Sequence, residues 1–334
     1  MFKIKDIVIK NDIVIAPMAG ISNAAFRSLC YEFNAGLVYT EMISDKAIYF
    51  GDGKTKEMTE VLEIEHPLSM QIFGSDVDTM VYAAKYLDVN TSCDIIDINM
   101  GCPANKIVKG GGGSNLLRTP ELAIAIVKAV VNAVSKPVTV KMRIGYDHNN
   151  INFLQLAIEF EKLGVAAIAL HGRTKTDLYE GKANWEYVKL LKENIKIPVI
   201  GNGDIKTLDD YIYYKEYSKC DAIMIGRGVI GNPYLIREIT AYHNNIEYDK
   251  PTFSQKFDMC IEHTKKLIKL KGERIAIKQM RGIVPWYLAG LPYCTSVKNK
   301  CSKINTLENL VDILDEYKKN LTEYYDSYIS RDNI

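Results

Sequence analysis

The chain has 334 residues, 47% apolar and 25% charged, with a formal net charge of +1. That composition suits a soluble globular protein with a large core and excludes a partner held by bulk charge alone. No apolar run is long enough to span a bilayer, so no membrane partner is expected.

Seven cysteines are scattered at 30, 93, 102, 220, 260, 294 and 301, without a Cys-x-x-Cys pair and with only five histidines. No metal site is therefore expected. The odd cysteine count and the lack of an apolar leader predict a reduced, cytoplasmic protein, and a monomer is expected.

In chain order, short β-branched runs recur at 13–15, 36–40, 68–72, 94–98, 138–141, 166–170, 198–200 and 222–225. The stretches between them carry apolar residues at helical spacing, as in 122–127 and 153–158. Near-continuously apolar strands alternating with helices imply a buried parallel sheet. Eight such units within about 240 residues favour a closed (β/α)8 TIM barrel over a doubly wound sheet.

After 245 the pattern changes. Residues 244–251 read as a linker, and 253–271, 274–289 and 306–327 read as amphipathic helices, the second interrupted at Pro285, where a kink or break is expected. The expected domains are thus 1–245, a catalytic barrel, and 246–334, a helical domain. Residues 256–303 hold eleven Lys/Arg against three Asp/Glu, a balance of +8, whereas 304–334 hold three against seven. A charged face turned toward a partner would give that reversal; a solvated helix surface would also give it.

Unusual polar residues fall at the C-terminal strand ends, where barrel active sites are assembled. Strand ends seven and eight carry Gly201-Asn202-Gly203-Asp204 and Gly226-Arg227-Gly228. Their backbone N–H groups can approach a phosphate, and Arg227 can add a charge-assisted contact. Gln71, Lys141 and His171 would converge on the pocket centre, with Pro17, Met18 and Ala19 as an apolar wall. A flat heterocycle with a polar edge suits that surface, and a lysine beside a flavin can stabilise charge on its reduced edge. No Gly-x-Gly-x-x-Gly follows the first strand, so tightly held FMN is the better reading than a Rossmann-bound nicotinamide. The cofactor set is therefore Pro17, Met18, Ala19, Gln71, Lys141, His171, Asn202, Gly203, Asp204, Gly226 and Arg227.

Asn99-Met100-Gly101-Cys102-Pro103 sets a thiol at the end of strand four, ahead of Lys106 and the run 110–113 of four glycines. From the residues alone Cys102 is a filler, a metal ligand, a nucleophile or a proton donor. A nucleophile needs a histidine base and a ligand needs companions, and neither is evident at this strand end.

Six segments in order and spacing resemble the tRNA-dihydrouridine synthase family. They are Ala16-Pro17-Met18-Ala19-Gly20, Asn99-Met100-Gly101-Cys102-Pro103, Val140-Lys141-Met142-Arg143-Ile144-Gly145, His171-Gly172-Arg173-Thr174, Gly201-Asn202-Gly203-Asp204-Ile205 and Met224-Ile225-Gly226-Arg227. Lys278-Gln279-Met280-Arg281 and Trp286-Tyr287-Leu288-Ala289-Gly290-Leu291-Pro292 resemble its bacterial B-type branch. The chain departs from that branch just before Trp286, reading Met280-Arg281-Gly282-Ile283-Val284-Pro285 where an Arg-Lys-His is common.

The resemblance implies reduction of the uracil C5–C6 double bond in a D-loop uridine of tRNA. FMN would carry the hydride, NADPH (or NADH) would be the reductant, and Cys102 would act as general acid at C5. It further implies substrate contacts from Asn99, Lys106, Arg143 and Arg173, a 110–113 loop that closes over the base, and a basic helical domain that holds the tRNA through phosphates. Two rivals are an FMN barrel acting on a free pyrimidine, like a dihydroorotate dehydrogenase, and a non-catalytic RNA-binding protein.

Overall fold

The structure is a computed structural model and describes residues 1–332, by backbone alone at 54, 56 and 327–332. Eleven strands are present: β1 (Phe2–Ile4), β2 (Ile7–Ile9), β3 (Ile13–Ile15), β4 (Leu37–Tyr39), β5 (Ile43–Ser44), β6 (Leu68–Phe73), β7 (Ile95–Met100), β8 (Val138–Arg143), β9 (Ala167–His171), β10 (Val199–Asn202) and β11 (Ala222–Ile225). β3, β4 and β6–β11 form a parallel ring that closes through β11 to β3 and β4 to β6. All eight strands expected from the sequence are in it, and the (β/α)8 barrel is observed. β5 is a two-residue extension paired to β6.

The barrel interior is filled mainly by small and β-branched side chains. Val14, Ala16, Ala167, Ala169, Ile200, Ala222 and Met224 pack there with Ile4 and Ile9 of the β1–β2 hairpin, which the sequence reading did not anticipate. Ile4 and Ile9 are fully buried, each contributing up to about 2–3 kcal/mol of apolar transfer. Three-residue strands are too short for a period-2 pattern to show, which is why the hairpin escapes sequence reading.

The chain divides into two compact units, Met1–Gly228 and Val229–Ile334. The sequence-based boundary after 245 lies beyond helix Tyr234–His243, which packing assigns to the second unit. Gly231 brings the chain against the backbone of Trp286 and Tyr287, and the Tyr234 hydroxyl donates to the Gln255 carbonyl at 3.0 Å.

The second unit contains helices Tyr234–His243, Phe253–Lys271, Glu273–Tyr287, Cys294–Cys301 and Leu307–Asp332. A reciprocal Thr252–Gln255 capping box starts the second of these. Pro285 does not break its helix, which runs on to Tyr287. It lies in the last turn, where a missing N–H removes one hydrogen bond from a helix about to end. No helix among the described residues is long and apolar enough to cross a membrane.

Candidate active site

Register decides which side chains face the barrel axis. Ala167 and Ala169 belong to the interior cluster, and they pair with Thr139 and Lys141. Thr139 and Lys141 pair in turn with Asp97 and Asn99, and Asp97 with Gln71. Side chains alternate along a strand, so Gln71, Asp97, Asn99, Thr139 and Lys141 share one inward-facing polar layer. One step nearer the C-terminal end, Arg143 pairs with His171 and His171 with Asn202.

The inward layer is wired by side-chain hydrogen bonds. Thr139 donates to Asp97 Oδ1 at 2.6 Å, and Gln71 Nε2 donates to Asp97 Oδ2 at 2.6 Å. Asn99 Nδ2 donates to Gln71 Oε1 at 2.6 Å. The other end of the Asn99 amide accepts from Gly101 N at 3.1 Å and Cys102 N at 2.9 Å. Asn99, expected to meet substrate, thus spends its amide on the turn that carries Cys102. Burial pushes the Asp97 carboxyl up to about 6.

Cys102 is part-buried, and burial raises its thiol above the ordinary value, more than Arg143 and Lys141 lower it. The thiol keeps its proton at neutral pH. Ser114 clamps the Cys102 carbonyl with its N–H at 3.1 Å and its hydroxyl at 2.8 Å. Gly113, at φ +58°, packs so closely that an added Cβ would lie 2.9 Å from the Cys102 carbonyl oxygen. In the 110–113 run, expected to close over the base, the Ser75 hydroxyl donates to Gly110 O at 2.7 Å, and Gly112 N donates to Ile107 O.

The Lys141 side chain makes no hydrogen bond or ion pair among the described residues, although the Asp97 carboxylate acts on it electrostatically. Burial, with Arg143 nearby, lowers its ammonium to about 8. Such a group is poised to receive an anionic ligand edge. Burial and the positive field of Lys141, Arg143, Arg173 and Arg227 hold His171 well below its ordinary value, so it is neutral.

Two buried arginines stitch the loop that follows β9. Arg143 Nε donates to Gly101 O, and its Nη1 to Thr174 O and Leu178 O, which leaves Nη2 for a ligand. Arg173 is different. Its Nε donates to Glu180 O, Nη1 to Asp204 and His171 Nε2, and Nη2 to Gly181 O and Asp204. All five of its donors are committed to the protein. Arg173 therefore clamps this loop, with no donor left over in this structure for the substrate contact expected of it. Because arginine only donates, His171 Nε2 accepts and Nδ1 carries the proton.

At the ends of β10 and β11, the backbone N–H groups of Gly203, Asp204, Gly226 and Arg227 make no hydrogen bond among the described residues. Gly203, at φ +138°, sits where a Cβ would come within 2.4 Å of Ala183 Cβ. The Met18 sulfur lies beside Gly226. Arg227 is 42% exposed and touches Asp204 at 3.7 Å, leaving its guanidinium available. The Asp204 side chain, expected among the cofactor contacts, holds Arg173 and accepts from Ala183 N, so only its N–H can serve a phosphate. Asn202 donates to Met224 O at 2.8 Å.

Pro17 is half-buried at the rim, and Ala19 and Lys106 are exposed. Sequence reading missed Asp97, Thr139 and Tyr179. The Tyr179 ring lies 4.5 Å from the Arg227 guanidinium and 5.6 Å from that of Arg143. Among the described residues, no group of three or more His, Cys, Asp or Glu is placed to hold a metal ion.

In the helical unit, Tyr287 is buried and its hydroxyl lies 3.1 Å from His263 Nδ1. Trp286 and Tyr293 are 41% and 74% exposed.

Comparison with known proteins bears on this geometry. Residues 14–322 match the family model described as dihydrouridine synthase. tRNA-dihydrouridine synthase B of Vibrio cholerae is 38% identical over 96% of this chain and 99% of its own length. A probable tRNA-dihydrouridine synthase of Rickettsia typhi is 36% identical over 97% and 98%. Among solved structures, histamine dehydrogenase from Rhizobium sp. 4-9 superposes with a TM-score of 0.55 at 15% identity, over 84% of this chain and 50% of that one. That likeness concerns the fold alone.

Proposed function

This chain belongs to the dihydrouridine synthase family, its bacterial B-type branch, and from that premise we propose that it reduces the C5–C6 double bond of a D-loop uridine in tRNA, with FMN as cofactor and NADPH as reductant. It is a flavin-dependent oxidoreductase. The observation that carries the detailed reading is a thiol and an ammonium brought together at the ends of adjacent strands. A thiol kept protonated by burial lies two residues past β7, and the Lys141 ammonium on β8, opposite Asn99 and without a side-chain hydrogen bond or ion pair among the described residues, lowers its pKa electrostatically.

The residues present fit FMN. The unpaired N–H groups of Gly203, Asp204, Gly226 and Arg227, with the Arg227 side chain, would hold its phosphate. Met18, with Pro17 and Ala19, would line its ring. Lys141, the Nδ1–H of neutral His171, and the unused Gln71 N–H would meet its polar edge. When bound, FMN supplies the hydride that reaches C6 of uracil. Asn202 orders the adjoining backbone through Met224 O.

Cys102 Sγ–H then gives its proton to C5, where the electron pair of the broken π bond resides. Solvent returns a proton to the thiolate, so one hydride, drawn originally from NADPH, and one proton add across the bond. Asn99 holds the Cys102 turn, while Arg143 Nη2 and Lys106 engage uracil carbonyls or a neighbouring phosphate. A stacked base cannot enter a barrel mouth, so the uridine is turned out of the RNA. The helical unit supplies phosphate contacts through its basic segment, making affinity salt-dependent.

The test is to incubate the purified yellow protein with NADPH and an unmodified tRNA transcript. Bleaching of the flavin followed by dihydrouridine in the tRNA is expected. A colourless protein, or one that reduces free pyrimidines and leaves tRNA unchanged, would overturn the reading.

A further inference from the structure

We propose that Asp97 is a positioning residue for Cys102, acting through Gln71 and Asn99 to fix the sense in which two side-chain amides point. The inference rests on the reading of Cys102 as proton donor and extends it by three links.

An ionised carboxylate only accepts hydrogen bonds. Asp97 Oδ1 is taken by the Thr139 hydroxyl, so the Gln71 amide facing Oδ2 must present Nε2. Its Oε1 is thereby turned toward Asn99, which must answer with Nδ2. Asn99 Oδ1 is then left facing the N–H groups of Gly101 and Cys102, which need an acceptor. Reversing either amide would set acceptor against acceptor or N–H against N–H. Asp97 and Gln71 are fully buried and Asn99 is 5% exposed, so water cannot repair a reversed link.

Both ends of the chain of links demand the same sense: the carboxylate at its head only accepts, and the Gly101 and Cys102 N–H groups at its tail need an acceptor, the Cys102 N–H having no other among the described residues. The arrangement also explains a charged residue in the middle of a strand that is otherwise apolar up to Asn99.

Three variants test the idea at pH 8, where the Asp97 carboxyl is ionised. Asp97→Asn can donate as well as accept and so removes the constraint at the head, leaving the sense of both amides to the two backbone N–H groups at the tail. Asp97→Asn with Gln71→Glu moves the carboxylate one link along, so that Asn99 must again donate Nδ2 and present Oδ1 to the turn. Thr139→Val removes one hydrogen bond to Asp97 and leaves the sense of both amides fixed.

Two readouts are taken on the flavin-loaded protein. One is the pH profile of Cys102 alkylation by iodoacetamide, followed by peptide mass spectrometry. The other is single-turnover dihydrouridine formation. In Asp97→Asn the alkylation midpoint should fall toward an ordinary thiol as the turn opens, and product formation should slow by about a hundredfold, the usual effect of misplacing a reacting group by about 1 Å. The double variant should restore the alkylation midpoint, and Thr139→Val should leave the midpoint in place.

An unchanged midpoint in Asp97→Asn, or no recovery in the double variant, overturns the proposal while leaving the role of Cys102 intact. Undiminished product in Cys102→Ala would instead refute the proton-donor reading, whatever Asp97 does. Should Asp97→Asn fail to fold, the wild type serves. The groups that face Asp97 are Tyr39, Gln71, Thr139 and Lys141. The side-chain amide signals of both Gln71 and Asn99 should then shift together as Asp97 titrates, and a shift at Gln71 alone overturns the chain of links.

Discussion

Replacing Lys141 by Met should make the flavin-stripped protein more stable at neutral pH while weakening flavin retention. Burial lowers the Lys141 ammonium from 10.5 to about 8. A base whose folded-state pKa is depressed stabilises the fold fully only above its unfolded value, and that stability is lost as pH falls through the folded value. At pH 7 the charged form is therefore held against its preference, by up to about 3 kcal/mol at about 1.4 kcal/mol per unit. The side chain keeps some solvent contact, which makes this an upper bound.

Met fills a similar volume without charge, so urea unfolding at pH 7 should show a gain of about 1–3 kcal/mol, or several degrees in Tm. The difference from wild type should narrow as pH rises from about 8 toward 10.5. A variant less stable than wild type at pH 7, or a gap that stays constant with pH, would refute the reasoning. Either result would mean that Lys141 is satisfied by the protein rather than kept for a ligand.

Two further outcomes follow from the geometry. Gly113→Ala forces a Cβ to within 2.9 Å of the Cys102 carbonyl oxygen at a left-handed backbone position. It should cost about 1–3 kcal/mol in stability and slow dihydrouridine formation without altering flavin reduction by NADPH, which stopped-flow absorbance would show. Arg274 and Lys278 are exposed one turn apart on helix Glu273–Tyr287. Changing both to Glu should weaken tRNA binding and flatten its dependence on log salt by about 1–2 units of slope, whereas an unchanged slope in filter-binding assays would remove this face from the RNA contact.

The barrel was readable from sequence because its eight strands are β-branched runs separated by helical periodicity, and strands 13–15 and 222–225 coincide with the observed bounds. The hairpin Phe2–Ile9 and helix Cys294–Cys301 were not, since three-residue strands and a polar two-turn helix leave little pattern. Candidate site residues were legible where a polar side chain lies near or just past the end of an apolar strand, as at Lys141, His171 and Cys102.

What could not be read was which of them are already spent on the protein. Arg173 and Arg143 look alike in sequence. Yet the carbonyls of Glu180 and Gly181, with Asp204, saturate one of them, and those partners come from loop geometry. Asn99 likewise owes its role to Gln71, from a neighbouring strand. Asp97 did leave a signal, a carboxylate between two isoleucines on a buried strand, which the strand pattern alone absorbs as noise.

The central claim is that a protonated thiol completes the reduction. Its most direct test compares wild type with Cys102→Ala in a single turnover, mixing flavin-reduced enzyme with unmodified tRNA and following dihydrouridine. NADPH should bleach the flavin equally in both proteins, while product formation in the variant should fall by at least about a hundredfold, the scale of a lost general acid. Product at the wild-type rate in Cys102→Ala would contradict the account.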